Sequence, residues 1–112
     1  MAQSNPPFMS GVPELLVLRV LSRGEMYGYE LVKRIRVVTD NAISLGEGVV
    51  YPSLYSLEER GALKSRRKLV NGRSRVYYSI TSKGLRRLAD LTSEWQRITD
   101  GISTALGEPD SA

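Results

Sequence analysis

The chain has 112 residues, with sixteen Lys and Arg against twelve Asp and Glu, and a net charge of +4. It has no cysteine and no histidine, which excludes disulfides, the usual zinc sites, haem ligation by those residues and Ser-His or Cys-His catalysis. No apolar run approaches the roughly 20 residues of a membrane span, and the N-terminus has neither the basic start nor the apolar core of a secretory signal, so a cytoplasmic location is expected.

The length is that of one domain. Residues 1–9 contain two prolines and little periodicity and are expected to form a flexible arm. A first helix is predicted over Ser10–Ser22, with Ser10 as N-cap and Pro13 and Glu14 in the first turn. Leu15, Leu16, Leu18, Val20 and Leu21 make it apolar nearly all round, which asks for burial on more than one side. Met26–Tyr29 reads as a glycine-containing turn. A second helix over Tyr29–Thr39 turns Leu31, Val32 and Ile35 inward and Glu30, Lys33, Arg34 and Arg36 outward.

In Ile43–Leu63, Val50, Leu54 and Leu57 share one helix face, opposite Tyr51, Ser53, Tyr55, Ser56 and Glu59. The helix starts near Glu47, or alternatively at Pro52, where the missing N–H and the clash with the carbonyl four residues back make a start easier than an interior. Gly61 suits its left-handed end. Two extended runs follow, Leu63–Val70 and Arg73–Ile80, joined by Asn71-Gly72, a strong signal for a type I′ hairpin. Val76, Tyr78 and Ile80 face one side of the second strand, toward the helices, so that Tyr78 is expected in the core, and Arg75, Tyr77 and Ser79 face the other, toward solvent. Thr81 caps a final helix over 82–106, about 40 Å long at ~1.5 Å per residue. Leu88, Leu91, Trp95, Ile98 and Ile102 recur at three- and four-residue steps, a heptad seam. Such a seam needs either the first helix or a second copy of the chain to cover it. Residues 107–112 are a polar tail expected to be flexible.

Charge is unevenly placed. Ten of the sixteen basic residues lie between Arg60 and Arg87, a stretch without Asp or Glu. A block of one sign in an otherwise balanced chain is the footprint of a polyanion-binding surface; a solvated charged face is the plainer reading. The fold class expected is mainly α with a β-hairpin. Three helices and a basic hairpin compose a winged helix-turn-helix over residues 10–81, followed by a dimerisation helix over 82–106. In that architecture the third helix enters the major groove and the hairpin meets the backbone or the minor groove. The wing arginines suit phosphate, being planar, always charged and multiply donating.

Three blocks resemble the PadR family of transcriptional regulators: ELLVLRVLSRGEMYGYELVKRI at 14–35, GVVYPSLYSLEERGAL at 48–63 and GRSRVYYSITSKG at 72–84. The end of the chain resembles the smaller subfamily, with a single dimerisation helix. The resemblance implies a homodimeric repressor on a pseudo-palindromic double-stranded DNA operator. It carries DNA binding onto Tyr51 and Pro52 of the Tyr-Pro motif, Arg73 and Arg75 of the wing, and Tyr77 of the paired tyrosines. With the outer faces read above, the expected DNA-binding set is Lys33, Gly48, Val49, Tyr51, Pro52, Ser53, Ser56, Arg73, Arg75 and Tyr77. One departure is that helix three has no Lys or Arg before Arg60, where many members carry one, so affinity falls to the wing and helix two.

Trp95-Gln96-Arg97-Ile98 resembles a segment of the multidrug-sensing members, in which paired tryptophans sandwich planar aromatic, often cationic, ligands at the dimer centre. That implies pore walls from Phe8, Val12, Leu15, Thr92, Trp95 and Thr99. The plainer reading is that Trp95 only fills an interface built with Leu88, Leu91, Ile98 and Ile102. No cofactor or metal is expected. An enzyme is not expected either: no carboxylate pair stands out, and Gly46-Glu47-Gly48 is too short for a phosphate loop. A helical dimeric protein-interaction module, without specific DNA binding, is the alternative.

Overall fold

A computed structural model describes residues 11–107 of the chain. The elements run α1 (Val12–Leu21), β1 (Met26–Tyr27), α2 (Gly28–Val38), α3 (Glu47–Glu59), β2 (Leu63–Val70), β3 (Arg73–Ile80) and α4 (Ser82–Gly107). The expected hairpin is there, with the expected limits, but it is part of a three-stranded antiparallel sheet in the order β1-β3-β2.

β1 corrects the reading of Met26–Tyr29 as a turn. Met26 and Tyr27 pair with Tyr78 and Tyr77 of β3, and Gly28 and Tyr29 already belong to α2. Two residues are too few for an alternation to show, so this strand is dictated by the exposed edge of β3, whose backbone groups need partners. Ser10 lies outside the described residues, and the N-cap position of α1 is held by Gly11.

The core forms where the helices converge. Val17, Leu18, Val20 and Leu21 of α1 meet Leu31 and Ile35 of α2 and Val50, Leu54 and Leu57 of α3; Leu45, Leu63, Tyr78 and Leu88 close it. These are the three- and four-residue spacings of the sequence, now turned inward.

Local chemistry sets the ends of each element. After α2, Asp40 and Asn41 both take positive φ, at 52° and 65°. The Thr39 hydroxyl holds the loop that follows: it contacts the Ile35 carbonyl at 2.8 Å and accepts from the Ile43 N–H at 3.2 Å. α3 starts at Glu47, so Pro52 lies within it and leaves the Gly48 carbonyl without its helical donor. α3 ends in a Schellman arrangement. The Ala62 N–H donates to the Leu57 carbonyl at 2.9 Å and the Gly61 N–H to that of Glu58 at 3.0 Å, with Gly61 at φ +82°. At the hairpin tip Asn71 and Gly72 have φ 51° and 78°, the mark of a type I′ turn.

Thr81 joins the wing to α4. Its hydroxyl accepts from the Gly84 N–H at 3.1 Å, the expected N-cap bond, and donates to the Gly61 carbonyl at 2.7 Å. Gly84 is there because the Ala62 carbonyl oxygen occupies the space a Cβ would need. On the neighbouring side Glu14 of α1 takes the Arg87 guanidinium at 2.7 Å and Arg60, just past α3, at 3.6 Å. One carboxylate thus ties α1, α3 and α4 together. Arg87 lowers the Glu14 pKa below its ordinary value, and Arg60 adds to the effect.

Beyond Leu88 and the half-buried Leu91, α4 leaves the body, which accounts for extents of 65 × 35 × 20 Å. Its apolar stripe goes with it: Trp95, Ile98, Ile102 and Leu106 are 39, 40, 54 and 81 % exposed. The first helix therefore covers only the start of the seam. No described helix is long and apolar enough to cross a membrane.

Candidate nucleic-acid interface

The register of the hairpin sorts its charges. Lys64, Arg66 and Lys68 lie opposite Ser79, Tyr77 and Arg75, and Val70 lies opposite Arg73. Directly opposed residues share a face, so one face of the wing carries five cations: Lys64, Arg66, Lys68, Arg73 and Arg75. The other face carries Tyr78, buried as its alternation demanded, and, further out, Arg67, whose guanidinium reaches the Ser74 hydroxyl at 3.4 Å. Arg73 is exposed at the tip.

The cationic face is braced by an aromatic pair. The rings of Tyr27 and Tyr77 meet edge to face with centroids 5.4 Å apart. The Arg75 guanidinium lies 4.3 Å over Tyr27, and the Lys68 ammonium 4.4 Å over Tyr77. Tyr77 is thus half-buried between Tyr27 and Lys68. Glu25, just before β1, binds Lys68 at 2.6 Å and Arg66 at 3.2 Å. Those two bonds, Lys68 first, hold the Glu25 pKa below its ordinary value.

The same tyrosines lead to α3. The Tyr51 ring lies against Gly28, where a Cβ would overlap it, and sits tilted to Tyr55 at 6.1 Å. Burial raises the Tyr51 pKa, helped by the Glu47 carboxylate and by Tyr55. The chain of contacts Tyr51–Gly28 and Tyr27–Arg75, joined at the peptide between Tyr27 and Gly28, links the first turns of α3 to the wing.

Of the other expected DNA-binding residues, Gly48, Pro52 and Ser56 are exposed on α3, together with Tyr55 and Glu59. Val49 is half-buried against the core. Ser53 is half-buried on the flank of α3 and, with Pro52 and Ser56, borders a shallow depression shared with Pro13, Glu14 and Arg60. Lys33 is exposed on α2, its ammonium 4.9 Å from the Tyr29 ring.

The residues expected to wall a ligand pore are less gathered. Phe8 lies outside the described residues. Val12 is 4 % exposed, closed off within the chain, and Leu15 is half-buried. Thr92 and Trp95 are exposed along α4, and the Thr99 hydroxyl is shut from solvent without a hydrogen-bond partner among the described residues. A groove of about 840 Å³ between α1 and α2, lined by Leu16, Val20, Val37 and Val38 with Arg19, Arg23, Lys33 and Arg34, is bordered by none of the expected wall residues.

Sequence reasoning passed over Glu25, Tyr27 and Gly28. Tyr27 and Gly28 sit in the Tyr27-Gly28-Tyr29 run of the 14–35 block that resembles the family, which was a usable signal. Glu25 meets its partners across more than forty residues of chain, and nothing local points to it.

Helices two and three as a helix-turn-helix, with a cationic hairpin behind them, define the winged-helix class of DNA-binding regulators. The profile described as the transcriptional regulator PadR-like family matches residues 17–90. The chain belongs to that family, whose members are transcription regulators and not enzymes. It is similar to a transcriptional regulator of Clostridium thermocellum, at 29% identity and TM-score 0.81 over 88% of this chain and 97% of that one. A PadR-like transcriptional regulator of Bacillus cereus gives 28% identity and TM-score 0.79 over 92% and 99%. The transcriptional regulator YqjI of Escherichia coli is 30% identical over 85% of this chain, which spans 44% of that longer protein.

Proposed function

We propose that this chain is a homodimeric repressor that binds a pseudo-palindromic operator in the cytoplasm. The observation that carries the reading is the contact chain from Tyr51 through Gly28 and Tyr27 to Arg75, which fixes the wing relative to α3. In this reading Gly48, Pro52, Tyr55 and Ser56 meet base edges, Tyr51 and Lys33 meet the backbone beside them, and Arg73 and Arg75 take phosphates. With almost no positive charge before Arg60, α3 selects sequence while the wing supplies affinity. The uncovered stripe Trp95, Ile98, Ile102 and Leu106 supports the dimer, because a row of apolar side chains that long is rarely left to water. Two recognition helices then sit about 34 Å apart, one turn of DNA.

Selection of bound duplexes from a random pool, followed by anisotropy titration, tests this. A recovered motif with two-fold symmetry is the expected result; Arg73→Ala with Arg75→Ala should weaken binding to that motif and to random duplex alike. Retention of no sequence above the pool contradicts it.

Release by a planar aromatic, cationic ligand at the dimer centre is a second reading, favoured by the half-exposed Trp95 on the α4 stripe. Such a ligand must prefer the conformation that does not bind DNA. Quenching of Trp95 fluorescence by an aromatic dye, lost in Trp95→Ala, is the expected result. Absence of quenching sinks this reading and leaves the repressor reading standing.

A further inference from the structure

The five cations on the outer face of the wing are not equivalent. Arg73 at the tip and Lys64 near the base have no acidic partner among the described residues, and Arg75 lies on the Tyr27 ring, which leaves its charge in place. Arg66 and Lys68, in the middle, share one carboxylate, that of Glu25. Glu25 does not belong to the hairpin. It stands ahead of β1, whose pairing with β3 places it at the edge of the same sheet face. There it reaches across Tyr77 to β2, and Lys68 is held at once by the carboxylate and by the face of Tyr77.

We infer that Glu25 is a specificity-determining counter-charge, which withholds Arg66 and Lys68 from phosphates and so limits how strongly the wing binds DNA of any sequence. The inference rests on the proposed reading of the wing as the element that meets the DNA backbone. An exposed ion pair is weak, so pairing alone would not keep a lysine from a phosphate. Geometry and charge do the rest. If Lys68 swings to a phosphate it gives up the Tyr77 face as well as Glu25. It also leaves a bare carboxylate beside a polyanion. Binding to random sequence is almost wholly electrostatic, so two withheld cations reduce it directly. On an operator, α3 fixes the register, and Arg73 at the tip and Arg75, opposite Lys68 but not paired with Glu25, are the ones placed at the backbone. Random duplex allows any register, and mid-wing cations freed from Glu25 would be used there most. Glu25 therefore widens the gap between operator and random DNA by weakening the wrong complexes rather than strengthening the right one.

The test is the salt dependence of random-duplex binding by the full chain, with Glu25→Gln and Glu25→Ala beside the wild type. Each released cation should steepen the log–log slope by about 0.9 and raise affinity at 50 mM salt by on the order of tenfold. The ratio of operator to random affinity should fall. An unchanged slope in folded variants overturns the inference, and so does weaker binding by both, since Glu25 would then be holding Lys68 in place for the DNA. Lys68→Met tests the same point without touching Glu25. In the wild-type background it should leave the slope unchanged, and a flattening by about 0.9 overturns the inference. In the Glu25→Gln background the same change should flatten the slope. A wild type that binds no duplex at low salt overturns the DNA reading itself, an outcome separable from all of these.

Discussion

The ring of Tyr51 in α3 lies directly against Gly28, the first residue of α2, so closely that a methyl group on Gly28 would occupy the position of the ring. Gly28→Ala brings two opposing effects. Alanine favours the helix by roughly 0.5–1 kcal/mol over glycine, and forcing the ring out of its contact costs about 1–3 kcal/mol. The net loss of stability is expected to be at most about 2.5 kcal/mol by urea denaturation. The larger consequence should fall on DNA, because Tyr51 sits at the junction of α3 and wing. Binding should weaken at least about tenfold while the salt slope, set by the wing cations, stays the same.

Gly84→Ala should be worse for the fold. Here the obstacle is the Ala62 carbonyl oxygen, part of the backbone between α3 and β2, which cannot turn aside as a ring can. Ala62 is also bonded through that oxygen to the Thr81 N–H at 3.0 Å. A loss of about 3 kcal/mol or more is expected, read as a lower urea midpoint.

The Glu14 site predicts an acid limb. Its carboxyl pKa is below the ordinary 4.5 in the folded chain, first through the Arg87 hydrogen bond. A depressed carboxylate contributes its stability in full above the unfolded value and loses it as pH falls through the folded one. Both arginine partners are well exposed, so the contribution is no more than about 1 kcal/mol. Thermal unfolding of the wild type should therefore drop below pH 4.5 more steeply than that of Glu14→Gln.

Ile98→Glu or Ile102→Glu places a carboxylate in the uncovered stripe of α4. If a second copy covers that stripe, either change should shift sedimentation from dimer to monomer at micromolar concentration, with the far-UV dichroism of the winged domain unchanged. A dimer that survives both would place the contact elsewhere.

Much of this architecture was legible in the sequence where local chemistry decides it. Asn71-Gly72 pins the hairpin, so both strands fall on their expected residues, and Gly61 marks the end of α3 because a left-handed residue is needed there. Tyr78 was assigned to the core by alternation alone. What could not be read depends on contacts between distant segments. β1 exists because β3 offers an open edge, and Tyr51 needs Gly28 because of how two helices meet. Glu25 looks like any loop carboxylate until the sheet brings it to Lys68. The heptad seam of α4 was visible as a pattern, but not the point near Leu91 where the chain's own core stops covering it.

Hydroxyl-radical footprinting on the duplex selected from the random pool is the most direct measurement of the central claim. Two symmetric tracts of protection, centred about 10 base pairs or a multiple of that apart, are predicted, each tract a recognition helix with its wing alongside. A single asymmetric tract, or uniform protection that vanishes with salt and has no fixed position, would contradict a dimer reading an operator through α3.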